Sequence, residues 1–151
     1  MKKGLSAERH GFTIIELLVV LSIIAVLSAV GFSFFSVAAS KGRDGRREKD
    51  IKEIQNILAL YANNSGRYPV CSPEVVVNGI TDCLSVALIG EESAISTPID
   101  PRHGVGTGSC GGGEFFEYCY VSTDGQTYTL RYLLETDSIP GKTLGWNSAT
   151  P

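Results

Sequence analysis

An α+β chain, with a long N-terminal helix packed on a small antiparallel β-sheet domain, is predicted by three observations. Residues 12–39 form an almost uninterrupted apolar run, and residues 40–64 turn polar while keeping an apolar stripe at helical spacing. Residues 65–151 are rich in turn formers, hold all four cysteines and contain the clearest period-two pattern in the chain. The helix is thus expected in two halves, a transmembrane half at 12–39 and an amphipathic half at 40–64, ahead of a globular domain at 65–151.

The apolar run comes first. As a helix it would span about 42 Å at 1.5 Å per residue, enough to cross a hydrocarbon core of roughly 30 Å. It is too long for the apolar region of a secretory signal, and no small-x-small cleavage site follows it, so it stays with the mature chain. Its apolar character continues all the way round, interrupted by Ser22, Ser28, Gly31, Ser33 and Ser36. Such a helix must be buried in lipid or among like helices, and the small residues permit close helix approach. One carboxylate, Glu16, stands near its start in the segment GFTIIELL. An ionised carboxylate inside a membrane helix costs roughly 2.5 to 3.5 kcal/mol, less where it snorkels to the interface, so its place there calls for a reason. An ordinary flanking charge in the headgroup zone is the bland explanation.

In the amphipathic half, Ile51, Ile54, Leu58 and Tyr61, with Ile57 beside them, draw one apolar stripe for packing onto the domain. Arg46 with Asp50, Glu48 with Lys52 and Lys49 with Glu53 are spaced i, i+4 as ion pairs of a few tenths of a kcal/mol each. Gly42 and Gly45 each weaken a helix by about 1 kcal/mol relative to alanine, which predicts a bend or melted turn. Asn63, Asn64 and Gly66 predict the helix end.

Beyond it, Tyr68-Pro69 forces an extended entry, and Thr81 or Asp82 can cap a short helix carrying Leu84, Val86, Ala87 and Leu88. Ile99-Asp100-Pro101 begins a loop ending in Gly111 to Gly113. Strands are expected at 114–122 and 126–135, joined by Thr123-Asp124-Gly125 as a hairpin. In the second of these, Tyr128, Leu130, Tyr132 and Leu134 alternate with Thr129, Arg131 and Glu135.

Cys71, Cys83, Cys110 and Cys119 form no CxxC pair, and His10 and His103 are not spaced for a Cys/His zinc site; both histidines are expected to be solvated. An even cysteine count in a small exported domain favours two disulfides. Of three connectivities, Cys71 with Cys83 and Cys110 with Cys119 is expected, because each closes a short loop around turn residues. Four free thiols are the alternative. The chain shows no nucleophile with a partner base, no phosphate loop and no paired carboxylates, and no catalytic residue is assigned. The glycines of 104–113 precede a strand, so a dinucleotide-binding turn fails its context test; a flexible surface loop is expected there. A formal net charge of −3 does not fit nucleic-acid binding. Asn63-x-Ser65 formally matches a glycosylation acceptor.

The N-terminal residues carry a resemblance. A basic stretch with Lys2, Lys3 and Arg9 precedes Gly11, then an aromatic, a hydroxyl residue, two isoleucines and Glu16. This junction resembles the prepilin family, which includes type IV pilins and the pseudopilins of type II secretion, and the order of elements is pilin-like. The resemblance implies a leader at residues 1–11, cleavage after Gly11 by a membrane peptidase and N-methylation of Phe12. Loss of the leader removes Lys2, Lys3, Arg9 and Glu8, leaving a formal charge of about −5. The resemblance further implies that Glu16 sets axial register, the amino terminus of one subunit offsetting the desolvation of its neighbour's carboxylate.

The implied partners are further copies in a helical homopolymer, the prepilin peptidase, an assembly ATPase, a platform protein and the membrane. The implied location is a single-pass membrane protein with a cytoplasmic N-terminus, then a cell-surface pilus or a periplasmic pseudopilus. Six basic residues between Lys41 and Lys52, against three in the leader, would by the positive-inside count put the domain in the cytoplasm; the junction and the cysteines argue the reverse. No cofactor is assigned. Calcium, bound by major pseudopilins, could use Asp100, Asp124 and backbone carbonyls, although isolated loop aspartates more often cap turns. A filament subunit of a pilus, a major pseudopilin, and a membrane-anchored extracytoplasmic domain that does not polymerise remain the three readings.

Overall fold

A computed structural model describes residues 11–151. The expectations for Lys2, Lys3, Arg9 and His10 lie outside the described residues. The elements are α1 (Ile14–Ser65), β1 (Cys71–Val76), α2 (Cys83–Gly90), β2 (Gly106–Ser109), β3 (Gly112–Phe115), β4 (Cys119–Ser122), β5 (Thr129–Leu134) and β6 (Gly145–Ala149). The chain divides into a unit ending at Ala38 and a unit of Ala39–Pro151.

In the first unit the described part is the start of α1. Its described apolar side chains, Ile14, Leu18, Leu21, Ile24 and Leu27 among them, are exposed. By length and composition α1 is able to cross a membrane.

In the second unit, α1 supplies Ile51, Ile54 and Leu58 to the core at no more than 2% exposure, with Ile57 and Tyr61 packed beside them. The helix runs through Gly42 and Gly45 without interruption, so the expected melted turn does not form there. Asp44 and Arg47, buried against other elements of this unit, hold that turn in place. Termination follows the expected residues: Gly66 takes a φ of 73° and its N–H bonds to Ala62 O at 2.8 Å. Asp82 caps α2 by accepting from Ser85 N–H at 3.0 Å, and Leu84 and Leu88 face the core.

The main sheet is antiparallel in the order β1-β4-β5-β6. β4 and β5 form the expected hairpin, Val121 opposite Thr129, with Gly125 at positive φ in the turn. Tyr128, Leu130, Tyr132 and Leu134 are buried as their alternation requires, while Thr129, Arg131 and Glu135 are half-buried. The expected strand at 114–122 is instead two strands in different sheets. β3 pairs with β2, and the chain breaks at Phe116 to Tyr118, where Glu117 turns its carboxylate inward to take the Gly104 N–H at 2.7 Å and Tyr118 O accepts from Val77 N–H.

The glycine-rich stretch, expected as a flexible loop, is the β2–β3 hairpin. A Cβ at Gly106 would lie 1.9 Å from Glu114 O, and one at Gly113 would lie 2.8 Å from Thr107 O, both at positive φ. The glycines therefore serve close strand approach rather than mobility. Two edge strands were not expected. β1 carries Pro73 beside a register irregularity, and β6 has the poor strand sequence GWNSA yet pairs with β5 over its whole length.

Candidate functional site

Two places carry chemistry-bearing residues. The first is the start of α1. Thr13 and Glu16 form a reciprocal capping box: the Thr13 N–H and hydroxyl both donate to Glu16 Oε2 at 2.8 Å, and the Glu16 N–H donates to Thr13 Oγ1 at 3.3 Å. The sequence places a hydroxyl residue three positions before the acid, which is the spacing that interaction needs. The cap satisfies N–H groups at the helix start and supplies the carboxylate with donors, which lipid would not do if this segment lay in a membrane. Phe12, at 87% exposure, and Gly11 are exposed ahead of it.

The second is a buried charge cluster in the globular unit. Arg47 has no exposed surface, yet donates to Asp100 at 2.7 and 3.0 Å, to Asp44 at 2.8 Å and to Glu135 at 2.7 Å. Arg43 makes a two-pronged contact with Glu135 at 2.7 and 2.6 Å, and Arg102 reaches it at 3.2 Å. Arg102 also lies over the Phe116 ring, 3.8 Å from its centre. Three cations thus face three carboxylates. Burial alone would lower the Arg47 pKa, but the bonds to Asp100, Glu135 and Asp44 more than reverse that and raise it. Arg43 holds Glu135 down to about 2, against burial and with help from Arg47. Nearby, burial raises Asp50 despite a 3.0 Å bond from the Tyr118 hydroxyl.

This cluster was missed by the sequence reading, but a signal existed. Positions 44 and 47 continue the spacing of 51, 54 and 58 by two further turns, so Asp44 and Arg47 occupy the core stripe. Charged residues on a buried stripe must pair. Of the surface pairs expected on the same helix, Arg46–Asp50 and Glu48–Lys52 form at 3.7 and 3.4 Å; Lys49 and Glu53 do not. His103 is not simply solvated: its Nδ1 contacts the buried carboxylate of Glu117.

The residues considered for calcium do not fit it. Asp100 is 2% exposed and its oxygens are taken by Arg47 and by the Arg102 N–H. Asp124 is exposed and accepts from the N–H groups of Gln126 and Thr127, which lower its pKa. Among the described residues, no group of three or more His, Cys, Asp or Glu side chains could hold a metal ion. Cys71 is bonded to Cys83 and Cys110 to Cys119, which tie β1 to α2 and the glycine hairpin to β4. The two disulfides staple the unit.

Residues 7–32 match the family model described as the prokaryotic N-terminal methylation motif. No curated protein and no solved structure gives a significant match to the chain.

Proposed function

We propose that this chain, which carries the N-terminal methylation motif of the prepilin and pseudopilin family, is a non-enzymatic structural subunit of a type IV pilus-like filament. A peptidase hydrolyses the Gly11–Phe12 bond, leaving a carboxylate on the leader and an amine on Phe12, and the amine is then methylated. The subunit waits in the membrane with its globular unit outside. An assembly ATPase and platform protein then extract it into a helical polymer.

The observation that carries this reading is the start of α1: an apolar surface exposed on every side, broken by one carboxylate four residues after the residue that becomes the amino terminus. In lipid, the amine of one copy and Glu16 of the next each offset the other's desolvation. The capping box keeps Glu16 hydrogen-bonded until that partner arrives. The globular unit supports the topology as well. Its two disulfides, Cys71–Cys83 and Cys110–Cys119, suit an oxidising compartment outside the cytoplasm.

The test is intact mass and N-terminal sequencing of material sheared from the cell surface, with and without reductant. A chain beginning at methylated Phe12, and lighter by four hydrogens than its reduced form, is expected in that fraction. An uncut chain retained in the membrane would leave the anchored, non-polymerising domain as the reading.

A further inference from the structure

The exposed face of α1 in the globular unit carries an unbalanced charge. Lys41, Arg46, Lys49 and Lys52 all lie exposed on the side of the helix away from buried Arg47, a basic stripe about 16 Å long. Among the described residues Lys41 and Lys49 form no ion pair, and Arg46 and Lys52 have only the loose partners at 3.7 and 3.4 Å. Between them, Gly42 and Gly45 have nothing within 4 Å of where a Cβ would stand. Internal packing does not require these glycines, and they leave the backbone open to close approach.

The opposite charge is equally unpartnered elsewhere. Glu91 caps the C-terminus of α2, where the helix dipole disfavours an acid, and Glu92 follows at a φ of 54°. Neither forms an ion pair among the described residues, and Ile95 just beyond is 97% exposed.

We infer that the basic α1 stripe docks on the Glu91–Glu92 loop of a second copy of this chain. Two different patches joined in this way make a heterologous contact, which propagates from copy to copy as a helix instead of closing into a dimer. The inference rests on the filament reading and assigns it a specific contact between globular units. An anionic lipid surface would also attract the stripe, but it gives the acidic loop no partner; the second copy accounts for both.

The test is charge exchange in the full chain, read as the ratio of subunit in the sheared filament fraction to subunit in the membrane. Lys41→Glu with Lys49→Glu, and separately Glu91→Lys with Glu92→Lys, should each lower that ratio about fivefold or more. All four exchanges together should restore it to within about twofold. Intact disulfides by non-reducing mass mark each variant as folded, and Lys49→Gln and Glu92→Gln replace any variant that lacks them, with a smaller loss expected. A lysine defect that the fourfold exchange does not relieve overturns the inference in favour of a lipid surface, and unchanged ratios overturn it too. Absence of filaments from the unsubstituted chain overturns the filament reading and this inference together; filaments without rescue overturn this inference alone.

Discussion

Replacing Arg47 by methionine keeps an unbranched apolar stem and removes the charged guanidinium, which makes it a sharp test of the buried cluster. The loss can be worked out partner by partner. Glu135 would keep Arg43 and Arg102, and Asp44 would keep the N–H groups of Glu135 and Thr136 and the Thr136 hydroxyl. Asp100 would keep only the Arg102 N–H at 2.7 Å while remaining shut off from water. Breaking a buried pair by deleting one partner costs about 3 to 5 kcal/mol, mostly from the charge left behind. For a unit of this size that lowers the melting temperature by more than about 10 °C.

The assay is thermal unfolding of the full chain in detergent, followed by near-ultraviolet circular dichroism, which reads Trp146 and the packed tyrosines and is blind to the apolar helix. Asp100→Asn in the same chain should recover part of the loss, since it removes the stranded charge. A destabilisation under about 1 kcal/mol, or no recovery with Asp100→Asn, would refute the claim that this cluster is buried and mutually compensating.

Glu135 sets the acid limb of the stability curve: its pKa is held at about 2 by Arg43 and Arg47 against an ordinary 4.5, so its contribution is present above about pH 5 and is lost as pH falls from 4.5 towards 2. Glu135→Gln should flatten that limb in an acid titration; an unchanged limb would refute the assignment. Burial gives Asp50 the opposite sign, its raised pKa making it a liability as pH rises through the acid range, and Asp50→Asn should relieve that in the same titration. Glu16→Leu should abolish sheared filaments while leaving or improving membrane insertion, as judged by fractionation and blotting; undiminished filaments would sink its assembly role. Serine pairs replacing Cys71–Cys83 or Cys110–Cys119 should each cost about 2 to 3 kcal/mol, for loops of 12 and 9 residues, measured by denaturant unfolding.

The legible part of this fold was local. The stripe of Ile51, Ile54 and Leu58, the stop at Gly66, the Asp82 cap and the β4–β5 hairpin all follow from interactions within a few residues of one another, where periodicity and capping chemistry act directly. The Thr13–Glu16 cap is equally local and its spacing stood in the sequence, although the acid drew attention for its cost and not for its hydrogen bonds. That Asp100 is not available to calcium was illegible for the opposite reason. Asp100 is 53 residues from Arg47 along the chain, and nothing in its neighbourhood announces that it will be claimed by a buried guanidinium.

From sequence alone came the membrane-compatible helix, its misplaced acid and the demand for two disulfides, because each depends on composition or on spacing along one element; the proposed processing junction came from the resemblance to prepilins. The three-dimensional fold alone decided that GWNSA becomes an edge strand, that ten glycine-rich residues close into a hairpin, and that Asp44, Arg47, Asp100 and Glu135 meet in one dry cluster. Those outcomes are set by partners distant in the chain: a weak strand is held by the strong one beside it, and a buried charge persists only where folding delivers its counter-charge.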